Sequence, residues 1–182
     1  MKKLFYLIAI LLAVSMACRS NLGTSSGGEI RMDVAGFSTN IPAGYETSSF
    51  FGELGASKEG VDINEGPNFT IVLNPPSIYG TPEAVLDTIQ GSDNIFNYTY
   101  SGSRIPVTFN GLSGLAEDFT GVTEESKVAI AGRVVVAILA DGRQFRFFGH
   151  WPADQTAEML PVYEFLLNSV KFYEPIPATA TP

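Results

Sequence analysis

Cysteine and histidine are almost missing from this chain of 182 residues, which has one of each. A single cysteine, Cys18, excludes an intramolecular disulfide, so any fold must be held by its core. A single histidine, His150, argues against a catalytic zinc centre, which needs three protein ligands. Positive charge is also scarce, with 11 Lys and Arg against 19 Asp and Glu and a net charge of −8. No basic run reverses that balance locally. Such a surface is repelled by phosphates, and nucleic acid is not an expected partner.

Long apolar runs are absent beyond the first one, which extends from Leu4 to Val14 behind Lys2 and Lys3. A basic start followed by a short apolar run is a secretory signal pattern, and the run falls short of the roughly 20 residues that span a bilayer. It ends in Ser15-Met16-Ala17-Cys18. A small residue directly before cysteine is the lipobox arrangement, although Ser15 stands where leucine is commonest. The expectation is cleavage after Ala17 and lipidation of Cys18, which also accounts for a lone thiol in an oxidising compartment. The alternative is a plain signal peptide with an incidental cysteine. A lipid of two or more acyl chains anchors stably, which places the protein outside the cytoplasm on the bacterial membrane.

Four segments follow from composition: a signal peptide at 1–17, the lipidated Cys18 with a flexible tether at 18–28, one globular domain at 29–173 and a disordered tail at 174–182. The tether, rich in Gly and Ser, spans about 18 Å as a coil. The tail, EPIPATATP, has alternating proline and no periodicity. A domain of about 145 residues is of the commonest single-core size.

Period-two apolar patterns predict strands at Phe37/Thr39/Ile41, Phe69/Ile71/Leu73, Phe96/Tyr98/Tyr100 and Phe145/Phe147. The run Lys127 to Ala140 is apolar at both odd and even positions, as in a central strand covered on both faces. Gly132 within it marks a bulge or a close backbone approach. Asp141-Gly142 predicts a type I′ turn into a returning strand. Thr81-Pro82-Glu83 opens a helix that buries Val85 and Ile89 and stops at Gly91. A second helix lies between Asp154 and Val170, with Met159, Val162, Phe165 and Leu166 on one face. Pro161 predicts that its main body begins near residue 161, after a short turn. These elements predict an α+β domain with a mainly antiparallel sheet flanked by helices.

No catalytic set stands out. His150 could serve as a base or a pH sensor, or be a strand-end residue in a turn. The loop Lys58 to Asn68 carries Glu59, Asp62, Asn64 and Glu65, oxygen ligands of the kind calcium takes, without the EF-hand spacing. Its other reading is a solvated acidic hairpin loop, and the pair Glu124-Glu125 is expected to be a turn between strands rather than a catalytic dyad. Gly111-Leu112-Ser113-Gly114 lacks the Rossmann and Walker patterns, so its glycines are assigned to turns and no cofactor is expected. Phe50, Phe51, Tyr79, Tyr98 and Tyr100 either line a groove or belong to the core.

Three stretches carry a family resemblance: Gly36-Phe37-Ser38-Thr39-Asn40-Ile41-Pro42-Ala43-Gly44-Tyr45, then Asn110-Gly111-Leu112-Ser113-Gly114-Leu115, and Phe165-Leu166-Leu167-Asn168-Ser169-Val170-Lys171-Phe172. In order and character they resemble the PsbP/Mog/DcrB-like superfamily of α/β/α sandwiches. The resemblance implies that fold over most of Gly36 to Phe172, together with accessory and binding roles that need no catalysis. It supplies no catalytic residue. The expected function is a membrane-anchored, non-catalytic binding or accessory module that binds or scaffolds a partner at the membrane surface, a protein of a membrane complex being one candidate. The alternatives are an enzyme with a site near His150 and a calcium- or small-ligand-binding module at Asp62, Asn64 and Glu65.

Overall fold

The computed structural model describes residues 23–24, 27–50, 52–76, 79–92 and 98–177. The signal, Cys18, Phe51 and Phe96 lie outside the described residues.

Eight antiparallel strands form the main sheet. They are β1 (Gly23–Thr24), β4 (Tyr45–Phe50), β5 (Glu53–Lys58), β6 (Asn68–Asn74), β7 (Thr99–Phe109), β8 (Leu112–Val122), β9 (Ala129–Ile138) and β10 (Gln144–Pro152), in the order β1-β4-β5-β6-β10-β9-β8-β7. A second sheet of three strands places β3 (Phe37–Ile41) between β2 (Gly28–Met32) and β11 (Lys171–Phe172). Among the described residues two helices accompany the sheets, α1 (Pro82–Ser92) and α2 (Thr156–Ser169), the latter entered through a 3-10 turn at Ala153–Gln155. The expected α+β class with an antiparallel sheet is what the chain adopts. Among the described residues no helix is long and apolar enough to cross a membrane.

The period-two reading places the core. In β6, Phe69, Ile71 and Leu73 are buried and alternate with half-buried Asn68, Thr70, Val72 and Asn74. They meet Phe145 and Phe147 of β10, Val135 and Ala137 of β9, and the Met159, Tyr163 and Leu166 side of α2. Tyr163 stacks on Phe147 at 4.3 Å and donates its hydroxyl to the Phe147 carbonyl at 3.1 Å. Val134 and Val136, on the other face of β9, form a smaller core with Val85, Leu86 and Ile89 of α1. The strand read as apolar on both sides is indeed covered on both sides. Gly132 marks a close approach and not a bulge: the register runs unbroken through it, opposite Phe119 and His150.

Local chemistry also explains where expectation and structure differ. Thr81 caps α1, its hydroxyl accepting from the Ala84 amide at 3.3 Å, and the helix runs one residue past Gly91. Asp141-Gly142 does not form a type I′ turn, because only Gly142 has a positive φ, of 84°. The Gly142 amide donates to the Leu139 carbonyl and the Leu139 amide to the Arg143 carbonyl, both at 2.9 Å. This is the three-residue hairpin in which a type I turn ends on a left-handed glycine. The two-residue primed turn is at Asn110-Gly111, with φ of 48° and 76° between Phe109 and Leu112, which pair directly. Asn110 tolerates that conformation and its amide also caps the end of α2 on the Asn168 and Val170 carbonyls.

Pro161 sits inside α2, which begins at Thr156 and not near residue 161. The carbonyl deprived of its partner belongs to Ala157, and both residues are exposed, so it is open to solvent. Burial of Met159, Tyr163, Leu166 and Leu167 holds the helix through the proline. Its buried face is turned from the expected one: Tyr163 is buried and Phe165 is 49% exposed. Of the expected Phe96/Tyr98/Tyr100 strand, Tyr98 precedes β7 and Tyr100 is its second residue.

At the domain limits, β1 pairs residues of the expected tether with Thr47 and Glu46. Beyond Tyr173, the Ile176 amide donates to the Asp33 carbonyl at 2.8 Å, so the ordered chain continues into the expected tail.

The outer strand β7 is irregular. Tyr100 faces Phe119 and Arg104 faces Glu117, which leaves Ser101, Gly102 and Ser103 opposite Asp118 alone, and Pro106 follows. Glu117, fully buried, accepts from the Gly102 amide at 2.9 Å and from Arg104 Nε at 3.4 Å, and Arg104 also pairs with Asp87 on α1. The carboxylate thereby joins the bulge, its neighbouring strand and the helix.

Candidate functional site

An apolar groove of about 600 Å³ lies at one end of the main sheet. Its walls are the β2–β3 turn (Met32, Val34, Ala35), the end of β4 (Ser49, Phe50), and Leu73, Pro75 and Pro76 after β6, with Pro175 from the C-terminal segment. Val34 is 65% exposed and Phe50 72% exposed. Large apolar side chains held out in water beside an apolar cleft are the ordinary mark of a binding surface.

Arg143 positions these walls. It is buried, and its guanidinium donates to the carbonyls of Ala35 (3.0 Å) and Tyr173 (3.0 Å) and to Asp141 Oδ2 (2.7 Å). One side chain thus ties the β2–β3 turn to the C-terminal segment and the β9–β10 hairpin. Burial pushes the Asp141 carboxyl up, but the Arg143 amide and guanidinium outweigh it and hold it below the usual carboxylate range. Sequence reasoning missed Arg143, because its carbonyl partners lie 108 and 30 residues away along the chain.

Among the aromatic candidates, Phe50 lines the groove, while Tyr79 lines a separate cavity against α1. Tyr98 and Tyr100 pack on Phe119, at 4.6 and 5.5 Å, and Phe119 stacks on Phe148 at 4.7 Å, so these rings belong to the packing.

The acidic candidates meet. Asp62, Asn64 and Glu65 share a pocket of about 200 Å³ with the turn Thr123 to Ser126, which includes Glu124 and Glu125. The side chains of Asp62 and Thr123 serve the turns themselves. Asp62 Oδ1 accepts from the Asn64 amide at 2.8 Å, and Thr123 Oγ1 accepts from the Val128 amide at 2.9 Å. Among the described residues, no three His, Cys, Asp or Glu side chains are gathered closely enough to hold a metal ion.

His150 is inside β10 and not in a turn, because Trp151 and Pro152 continue the pairing with Ala131 and Ile130. It is 3% exposed, its Nε2 lies 3.3 Å from the Ile63 carbonyl, and burial holds its pKa below the ordinary histidine value of 6.5. A histidine whose folded pKa is depressed adds no pH dependence above its unfolded value and withdraws stability as the pH falls through it. The urea midpoint is therefore expected to fall between pH 7.5 and 5.5, and to fall less in His150→Gln. Equal losses in the two proteins would refute the assignment.

No protein-family model and no curated protein sequence matches the chain. Solved structures do match its fold. The cyanobacterial PsbP (CyanoP) of Synechocystis superposes with a TM-score of 0.60 at 11% identity, covering 84% of this chain and 96% of that one. The Ran-binding protein Mog1p of Saccharomyces cerevisiae gives 0.55 at 8% identity, covering 84% and 96%. LpqN of Mycobacterium tuberculosis, described as involved in cell envelope biogenesis, gives 0.53 at 14% identity, covering 82% and 87%. The chain spans 50% of a Bacteroides thetaiotaomicron protein that it resembles with a TM-score of 0.58 at 13% identity. At these identities the likeness covers the fold alone.

Proposed function

Starting from a PsbP/Mog-type fold, we propose that this chain is an exported lipoprotein tethered through Cys18, and that its domain is a non-catalytic accessory module. Its groove takes apolar side chains of a membrane-associated partner protein. The observation that carries the reading is the apolar groove with Val34 and Phe50 standing exposed at its rim. The anchor's position supports it. Gly23 pairs with Thr47, two residues before Ser49 at the groove, and Cys18 is five residues before Gly23. Five residues reach at most about 17 Å, so the lipid and the groove share one neighbourhood. Solved proteins of this fold include a Ran-binding protein and one involved in cell envelope biogenesis, which fits a role in binding.

The test is a photo-crosslinking amino acid placed at Phe50, and separately at exposed Phe165 on α2, in the protein within its native membranes. One adduct of defined mass is expected from position 50 alone, and it should disappear in Cys18→Ala. The same adduct from both positions, or its persistence without the anchor, would overturn the reading.

A further inference from the structure

The turn Asn110-Gly111 holds a reactive pair of groups. Asn110 is the only asparagine of the chain that is followed by glycine. Glycine has no side chain to shield its amide nitrogen, so Asn-Gly is the dipeptide most open to spontaneous deamidation. Both residues are exposed to solvent at the tip of the β7–β8 hairpin. In that reaction the Gly111 nitrogen bonds to Asn110 Cγ, the Cγ–Nδ2 bond breaks, and Nδ2 leaves as ammonia carrying the proton of the Gly111 amide. Water then opens the succinimide to aspartate or isoaspartate. Water is the only co-reactant, and nothing is oxidised or reduced.

The leaving group is also a structural latch. Asn110 Nδ2 donates to the Asn168 carbonyl at 3.0 Å and to the Val170 carbonyl. Carbonyls only accept, so the nitrogen of the amide must face them. Asn168 lies in the last turn of α2, where carbonyls have no partner within the helix. Val170, fully buried, leads directly into β11. The chain continues to Tyr173, which is bonded to Gly36 and Arg143, and to Pro175 at the groove. One side chain on a hairpin tip thus secures the root of the C-terminal segment. A carboxylate in its place could not donate, and its charge would sit at the negative end of the helix dipole. Isoaspartate also adds a main-chain carbon inside a turn whose flanking residues, Phe109 and Leu112, pair directly.

We propose that Asn110 is a deamidation site that works as a one-way latch between the β7–β8 hairpin and the end of α2. While the amide is held on the Asn168 and Val170 carbonyls, Cγ is kept from the Gly111 nitrogen and the reaction is suppressed. Opening of the contact permits it, and the product cannot close on those carbonyls again. The inference is independent of what the groove binds.

Incubation of the full-length chain at pH 8, folded and in guanidinium chloride, with peptide mass spectrometry at residue 110, tests the latch. Conversion is expected to be at least about tenfold slower in the folded protein, the protection that a contact of two hydrogen bonds confers against local opening. The deamidated protein, separated by ion exchange, is expected to melt about 5 °C lower and to exchange its amides from Val170 to Tyr173 faster. Asn110→Gly keeps the positive φ of the turn without the amide, so the same faster exchange is expected there. Equal rates in the folded and unfolded chain, or a deamidated protein with unchanged melting and exchange, would each overturn the proposal. Full protection from Val170 to Tyr173 in Asn110→Gly would overturn it as well.

Discussion

Gly132→Ala is expected to destabilise the protein by about 3 kcal/mol, the upper end of the range for forcing an extra carbon into a packed core. A Cβ at this position would lie 2.1 Å from Phe119 Cζ and 2.4 Å from the Gly149 carbonyl oxygen. Neither neighbour can yield cheaply. The carbonyl belongs to β10, which is hydrogen-bonded along its length to β9 and β6. The Phe119 ring lies against Phe148, with Tyr98 and Tyr100 on it as well. Urea unfolding followed through the single tryptophan, the buried Trp151, reads the change. A midpoint equal to that of the unmodified protein would mean that the strands separate more easily than their packing implies.

The second large effect is at Glu117. Glu117→Ala is expected to cost about 3 kcal/mol, because truncating one partner of a buried charge pair leaves the other unsatisfied. The Gly102 amide and Arg104 both lose their acceptor. Arg104 keeps Asp87 and is partly exposed, which places the cost at the lower end for such pairs. The loss should have a local signature. Amide hydrogen exchange at Gly102 and its bulge neighbours is expected to rise more than exchange in β6 or β10. Uniform loosening across the sheet would show that the carboxylate does not act through the bulge.

These two positions show what the sequence discloses and what it conceals. Gly132 was conspicuous as a glycine inside a strand apolar on both sides, and the structure supplies the reason in the Phe119 ring. Periodicity likewise located β6, β9 and the cap of α1, since each is decided by neighbours within a few residues. Glu117 was invisible, because its partners are set by pairing between strands and by a helix that arrives from elsewhere. The hairpins failed for a related reason. Asp-Gly and Asn-Gly suit the same primed turn, and the register of the flanking strands chose between them. At Pro161 a local rule was outweighed by the burial of Met159, Tyr163, Leu166 and Leu167. The acidic loops were legible separately, their meeting was not. Of the groove, Phe50 was foreseen as a lining candidate, whereas Arg143 was not.

The irregular outer strand acquires a consequence once the chain is pictured among its own copies. In the tethered state proposed above, copies would share two dimensions, where encounters between them would be frequent and of similar orientation. A straight outer strand would invite neighbours to continue the sheet from one molecule to the next. β7 is a poor template for that: three consecutive residues depart from the register, the Gly102 amide is turned inward to Glu117, and Pro106 has no N–H to offer. The same carboxylate that steadies the bulge thus also makes this edge a poor one for another strand to join.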